Sequence, residues 1–171
     1  MSFQDIEIRI DQPYPEIVNV EQDAQTIAVL KNLATSKVGE LNAVLQYIYQ
    51  AVISHDINED ISSVFEEIGI VEMMHLDMLM HAIRMFGGVP RYEDSNGNLY
   101  NVSAINYSLK LKDMLTNNIK AEKEGIEAYK RAKNIVKNQS LKDLFDRFIL
   151  DEQKHLEIFN KILNTVTFMS V

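Results

Sequence analysis

The sequence predicts an all-α fold, a bundle of four helices with one long crossover between the second and the third. Three observations carry that expectation. Apolar residues recur at helical spacing through four long segments. The first and second segments, and the third and fourth, are joined by short connections, which makes each pair antiparallel neighbours. Two of the segments also carry the pattern Glu-x-x-His, as Glu72-Met73-Met74-His75 and Glu152-Gln153-Lys154-His155. Side chains three residues apart on a helix share a face. Two such helices, plus one Glu from each of two others, form the ligand recipe for a pair of metal ions inside a four-helix bundle.

Residues 1–22 read as an N-terminal arm and residues 23–171 as a single bundle domain. Phe3 to Ile10 alternates loosely and suits a short strand or an extended arm, and Pro13-Tyr14-Pro15 then enforces extended or turn backbone. The first helix is expected over residues 23–54, with Ile27, Leu30, Leu33, Ala34, Val38, Leu41, Val44, Leu45, Ile48 and Val52 as its apolar stripe and Glu40 at the stripe's edge. The second is expected over 62–86, opened by a Ser63-x-x-Glu66 capping box and closed at Gly87-Gly88-Val89-Pro90.

Residues 87 to 106 form the one long connection, with a turn at Asp94-Ser95-Asn96-Gly97-Asn98. A helix of about 25 residues is about 37 Å long, and about 12 extended residues cross that distance. The connection can therefore run the length of the bundle and make helices two and three parallel. Helix three is expected over 108–137, a tight joint at Asn138-Gln139-Ser140, and helix four over 141–165. The last six residues, 166–171, are too few for a further helix of useful length.

Composition narrows the chemistry. A formal charge of −8 disfavours nucleic acid and anionic membranes, which reward clustered Lys and Arg. No apolar run approaches transmembrane length and the first residues lack a signal-peptide core, so a cytoplasmic location is expected. The 171 residues include no cysteine, which removes thiolate catalysis, disulfides, cysteine-ligated zinc and iron–sulfur clusters. Any metal must sit on carboxylates and imidazoles.

The spacing then repeats. Glu40 precedes Glu72 by 32 residues and Glu122 precedes Glu152 by 30, so the chain reads as two helix pairs, each bearing Glu and then Glu-x-x-His. In antiparallel hairpins these offsets bring all four ligand levels near mid-bundle. Ile68, Glu72, His75, Leu79 and Phe86 share one face of helix two; Leu144, Phe148, Glu152, His155, Phe159 and Ile162 share one face of helix four. Burying carboxylates and imidazoles in such stripes costs several kcal/mol each without compensation. Two divalent cations would neutralise four carboxylates.

These motifs resemble the ferritin-like superfamily over residues 23–165. Gly39-Glu40-Leu41-Asn42-Ala43-Val44-Leu45-Gln46-Tyr47, Glu122-Lys123-Glu124-Gly125 and Asp151-Glu152-Gln153-Lys154-His155 resemble helix motifs of bacterioferritin. The stretch Ile68 to Leu79 is similar to the second helix of manganese catalases and small catalase-like spore-coat proteins. The resemblance implies that Glu40 and His75 hold one metal, Glu122 and His155 the other, and that Glu72 and Glu152 bridge them. Tyr47 and Tyr129 each lie seven residues after a ligand Glu and are expected either to support these ligands or to pack with a satisfied hydroxyl, and Asp151 is expected to support them too. Met73 falls where bacterioferritin binds haem between two subunits, but packing against a second subunit suits this apolar outer face better.

The implied activity is that of a di-iron oxidoreductase that uses dioxygen or hydrogen peroxide to oxidise ferrous iron. Two alternatives stand beside it: a dimanganese catalase-like peroxide disproportionation, and a non-catalytic metal-binding or structural assembly protein. Homo-oligomers, at least dimers through helix two, are expected; nucleic-acid and membrane partners are not. Rubrerythrins carry a cysteine-ligated iron domain and an extra Glu where this chain has Gly125, and bacterioferritin cages have a fifth helix absent here. Full rubrerythrin and a 24-subunit cage are accordingly disfavoured.

Overall fold

A computed structural model describes residues 6–168, of which 6–23 are neither helix nor strand. Five α-helices follow: α1 (Ala24–Thr35), α2 (Glu40–Ser54), α3 (Glu59–Met85), α4 (Leu111–Ile135) and α5 (Gln139–Phe168), with a single 3-10 turn at Val102–Ala104. α1 and α2 both pack on α3, and α4 on α5, so α1 with α2 serves as one rod of a four-helix bundle. Among the described residues no helix is long and apolar enough to cross a membrane.

The first rod is therefore not the continuous helix expected over 23–54. It breaks at Ser36-Lys37-Val38-Gly39 because two close approaches meet there. Ser36 caps α1 in extended backbone, and the Gly39 amide turns back to the Ser36 carbonyl at 3.0 Å. A side chain at Gly39 would put Cβ 2.4 Å from the Leu33 carbonyl oxygen, so only glycine fits. The break resets the helical phase. α2 buries Glu40, Val44, Tyr47, Ala51 and Ser54, while Ile48 and Val52 of the expected stripe are exposed. Glu40 consequently opens α2, where a helix N-terminus favours a carboxylate.

α3 begins three residues before its expected start. Asn58, not Ser63, caps it by accepting from the Ile61 amide at 3.0 Å, and Ser62 instead donates to the Ala51 carbonyl across the hairpin. Its end is as expected: Gly87 takes φ +93°, and Gly88 donates back to Ile83 at 2.8 Å. α4 is shorter than expected at both ends, and α5 starts two residues early, capped by Asn138 through the Leu141 amide at 2.9 Å. Residues 169–171 and Phe3 to Asp5 lie outside the described residues.

The crossover follows the first rod from end to end. Glu93 pairs with Lys31, Tyr100 with Asn42, and Asn106 with Gln46. Its Asp94 turn closes through the amides of Asn96 and Asn98 and a short antiparallel bridge between Glu93 and Leu99. The chain thus re-enters the bundle beside the end of α2, where buried Gln50 and Asn118 exchange two amide hydrogen bonds. Those contacts, with Tyr47 on Glu122 and Tyr129 on Glu40, run α4 antiparallel to α2 and so parallel to α3. Two apolar clusters result, one around Phe145 and Phe148 and one around Phe65 and Phe159, and the polar centre lies between them.

Candidate metal centre

All six expected ligand residues meet in that centre, and all six are buried. They form two overlapping sets: Glu40, Glu72, His75 and Glu152, and Glu72, Glu122, Glu152 and His155, with one donor atom per residue lying within 4.8 Å of the others in its set. Glu72 and Glu152 belong to both. His75 Nδ1 faces Glu72 at 3.3 Å and Glu152 at 3.2 Å; His155 Nδ1 faces Glu72 at 2.9 Å and Glu152 at 3.2 Å.

The donor atoms fit two cations better than they fit one another. Both Glu72 oxygens and His75 Nδ1 are buried with no well-aligned hydrogen bond among the described residues, although histidine nitrogens and carboxylate oxygens there approach to 2.9 Å and 3.3 Å. Orphaned buried acceptors of this kind are uncommon in folded proteins. Four hard carboxylates and two imidazoles suit iron or manganese equally.

The ligand-type groups shift one another's protonation in opposite directions. Burial, then the charges of Glu72 and Glu152, push the Glu40 carboxyl well above its ordinary range; burial, Glu152 and Glu72 do the same to Glu122. Burial also raises Glu72, but the charge and hydrogen bond of His155 win and hold it low. Glu152 is held low as well, because hydrogen bonds from both histidines outweigh burial and the Glu72 charge. Burial opposes the charge on His75 and His155, yet their carboxylate partners raise both well above the ordinary imidazole value. The shifts thus move Glu40 and Glu122 toward the neutral acid, Glu72 and Glu152 toward the carboxylate and both histidines toward the imidazolium.

Further groups orient the ligands. Tyr47 donates to Glu122 and Tyr129 to Glu40, each reaching the opposite hairpin. Asp151 holds His75 Nε2 at 3.2 Å, and its own carboxyl is lowered to about 2: burial opposes this, but hydrogen bonds from His75, Arg147, the Ile10 amide and Tyr14 prevail. Tyr14 and Arg147 were not expected. Tyr14 donates to Asp151 at 2.8 Å, stands edge-on to His75, and has the Arg147 guanidinium 4.5 Å from its ring centre. The available signals were the Pro13-Tyr14-Pro15 brace and the Arg147–Asp151 spacing of four residues.

The centre opens at the α1–α2 break. A cavity of about 40 Å³ reaches from Glu40, Glu122 and Glu152 past Gly39 and Gly125 to exposed Lys37. At Gly125, where rubrerythrins carry a further Glu, a Cβ would meet nothing nearer than the Val38 carbonyl oxygen at 4.0 Å. Met73 lies away from the centre, half exposed in a groove between α2 and α3 beside Ile48, Val52 and Ile70. His81 makes a surface contact with Asp77 at 3.6 Å, and His55 is exposed at the first hairpin.

Comparison with known proteins agrees with this architecture. The chain superposes on a manganese catalase, KatB, from Anabaena with a TM-score of 0.84 at 23% identity, covering 93% of this chain and 80% of that one. A bacterioferritin from Rhodobacter capsulatus gives 0.73 at 21% identity, covering 85% and 88%. In sequence, a bacterioferritin of Brucella melitensis biotype 1 is 30% identical over 101 residues, which are 57% of this chain and 58% of that protein. Both structural likenesses establish the fold alone. A family model described as "Ferritin-like domain" matches residues 30–169, and the chain therefore belongs to that family, with a buried carboxylate–histidine centre of dimetal type.

Proposed function

We propose that this protein is a di-iron carboxylate oxidoreductase that oxidises ferrous iron with dioxygen or hydrogen peroxide. The observation that carries the reading is the pair of four-donor sets sharing Glu72 and Glu152. Glu40 and His75 would hold one ion, Glu122 and His155 the other, and the shared carboxylates would bridge them. Two iron ions held there supply a two-electron step in which ferrous iron is oxidised and the oxygen species reduced.

The chain's own residues set the conditions for that step. Tyr47 and Tyr129 fix the terminal carboxylates, Asp151 fixes His75, and the surrounding Phe148 and Phe159 exclude bulk water. A cavity of about 40 Å³ suits a molecule of two heavy atoms and excludes a bulky organic hydroperoxide. The sequence likeness to a bacterioferritin supports iron as the metal. The groove at Ile48, Val52, Ile70 and Met73 is read as a contact between copies rather than a haem site.

Metal analysis of protein grown with both iron and manganese, followed by assays with ferrous iron and with peroxide, tests the reading. Two iron ions per chain and ferrous oxidation without oxygen release are expected. Rapid oxygen release from peroxide with bound manganese would replace the assignment by dimanganese catalase chemistry. Bound metal with neither activity would leave a metal-binding or assembly role.

A further inference from the structure

Asp151 precedes Glu152 on α5, whereas Val71 precedes Glu72 on α3. That one difference separates the two histidines. His75 has its Nε2 3.2 Å from the Asp151 carboxylate, and its Nδ1 faces Glu72 at 3.3 Å and Glu152 at 3.2 Å across the centre. His155 has the inner contacts but not the outer one. Its Nδ1 is hydrogen-bonded to Glu152 at 3.2 Å, and its buried Nε2 has no partner among the described residues. Asp151 is in turn held from outside the bundle by the Tyr14 hydroxyl at 2.8 Å and the Ile10 amide at 2.8 Å, and Arg147 lies 2.7 Å from it.

We propose that the N-terminal arm is a working part of the metal centre. Through Asp151, Tyr14 and Ile10 preset His75 as a ligand, so that the Glu40–His75 position binds a divalent cation about tenfold or more tighter than the Glu122–His155 position. The proposal rests on the dimetal reading above.

An imidazole that offers Nδ1 to a cation carries its remaining proton on Nε2. For His75 that N–H donates to a carboxylate already in place, which fixes the ring and makes its other nitrogen a better donor. For His155 the same proton would sit on a buried nitrogen with no acceptor among the described residues. The first position therefore has its imidazole held for a cation by a hydrogen bond that the second lacks. Tyr14, Ile10, Asp151 and Arg147 act through His75 and are positioning residues.

The test is a calorimetric titration of the metal-free full chain with Mn²⁺, paralleled by Co²⁺ absorption. Wild type should show two binding steps about tenfold or more apart. Asp151→Asn should weaken the tighter step by about 10- to 100-fold and shift the absorption of the first Co²⁺ equivalent, leaving the second step unchanged. Tyr14→Phe keeps the ring against Arg147 and should weaken the same step by a smaller factor. Val71→Asp should strengthen the weaker step; if it does not fold, Tyr14→Phe and Asp151→Asn decide.

Two equal steps in wild type, or both steps weakened alike in Tyr14→Phe and Asp151→Asn, would overturn the proposal. Absence of binding by either ion would instead overturn the dimetal reading itself.

Discussion

Tyr47 on α2 donates its phenolic hydrogen to Glu122 on α4, and the relationship is returned: Tyr129 on α4 donates to Glu40 on α2. Each tyrosine follows the Glu of its own helix by seven residues, yet it serves the Glu of the other hairpin. Two turns along an antiparallel neighbour bring a side chain level with the partner's ligand, not with its own. The pair of bonds ties the two halves of the centre together.

Removing one hydroxyl should be felt across the bundle. Tyr47→Phe leaves buried Glu122 without that donor, and Tyr129→Phe does the same to Glu40, a loss of about 1–3 kcal/mol in each case. Chemical denaturation of the metal-free protein measures it. Metal titration should show Tyr47→Phe weakening the step served by Glu122 and Tyr129→Phe the step served by Glu40, by about tenfold or more. Equal weakening of both steps by either variant would rule out the crossed arrangement.

Protons and cations compete for the centre. Glu40 and Glu122 are held above their ordinary 4.5 and His75 and His155 above 6.5, so the unfolded chain releases these four protons first as pH rises. The metal-free fold should therefore lose stability as pH rises above those ordinary values. Glu72, Glu152 and Asp151 act with the opposite sign: held low, they stabilise above their ordinary values and lose that contribution as pH falls toward the native ones. Binding divalent ions should release protons from these groups, measurable by calorimetry in buffers of different ionisation enthalpy. Melting temperature should fall with pH for metal-free protein and hold or rise for loaded protein; parallel profiles would count against the protonation scheme.

The six buried candidate ligands were legible because metal chemistry imposes a spacing that apolar periodicity alone does not. Glu72, His75, Glu152 and His155 interrupt two clear stripes, and all four are where those stripes point. The helix break was not legible from the stripe, because Leu41, Leu45, Ile48 and Val52 continue an apolar period across it. Gly39 was the signal against continuity, and its meaning depends on a contact with the Leu33 carbonyl that only the folded chain makes. Tyr14 was harder still. Its partner Asp151 lies 137 residues away, and no local period encodes a contact at that distance.

Gly39→Ala tests the break directly. The added methyl meets the Leu33 carbonyl oxygen at 2.4 Å and the Ser36 nitrogen at 2.9 Å, both backbone atoms that cannot swing aside. A destabilisation of about 3 kcal/mol is expected. Displacement of Glu40 should also lower the metal retained per chain, measured by elemental analysis after desalting. A stable, fully loaded Gly39→Ala protein would show that the turn has another conformation open to it.

Gly125 gives the reverse case, a glycine that packing does not require. It lies within α4, and an added Cβ would find only the Val38 carbonyl oxygen, at 4.0 Å. Gly125→Ala should therefore stabilise the helix by about 1 kcal/mol and leave metal loading unchanged. Gly125→Leu keeps that helical gain but fills the mouth of a cavity of about 40 Å³ leading to Glu122 and Glu152. It should raise the melting temperature while slowing the reaction of the loaded protein with peroxide and the entry of azide by about tenfold, as expected when a narrow path closes rather than a ligand moves. Equal rates in Gly125→Ala and Gly125→Leu would mean that small molecules reach the centre by another route.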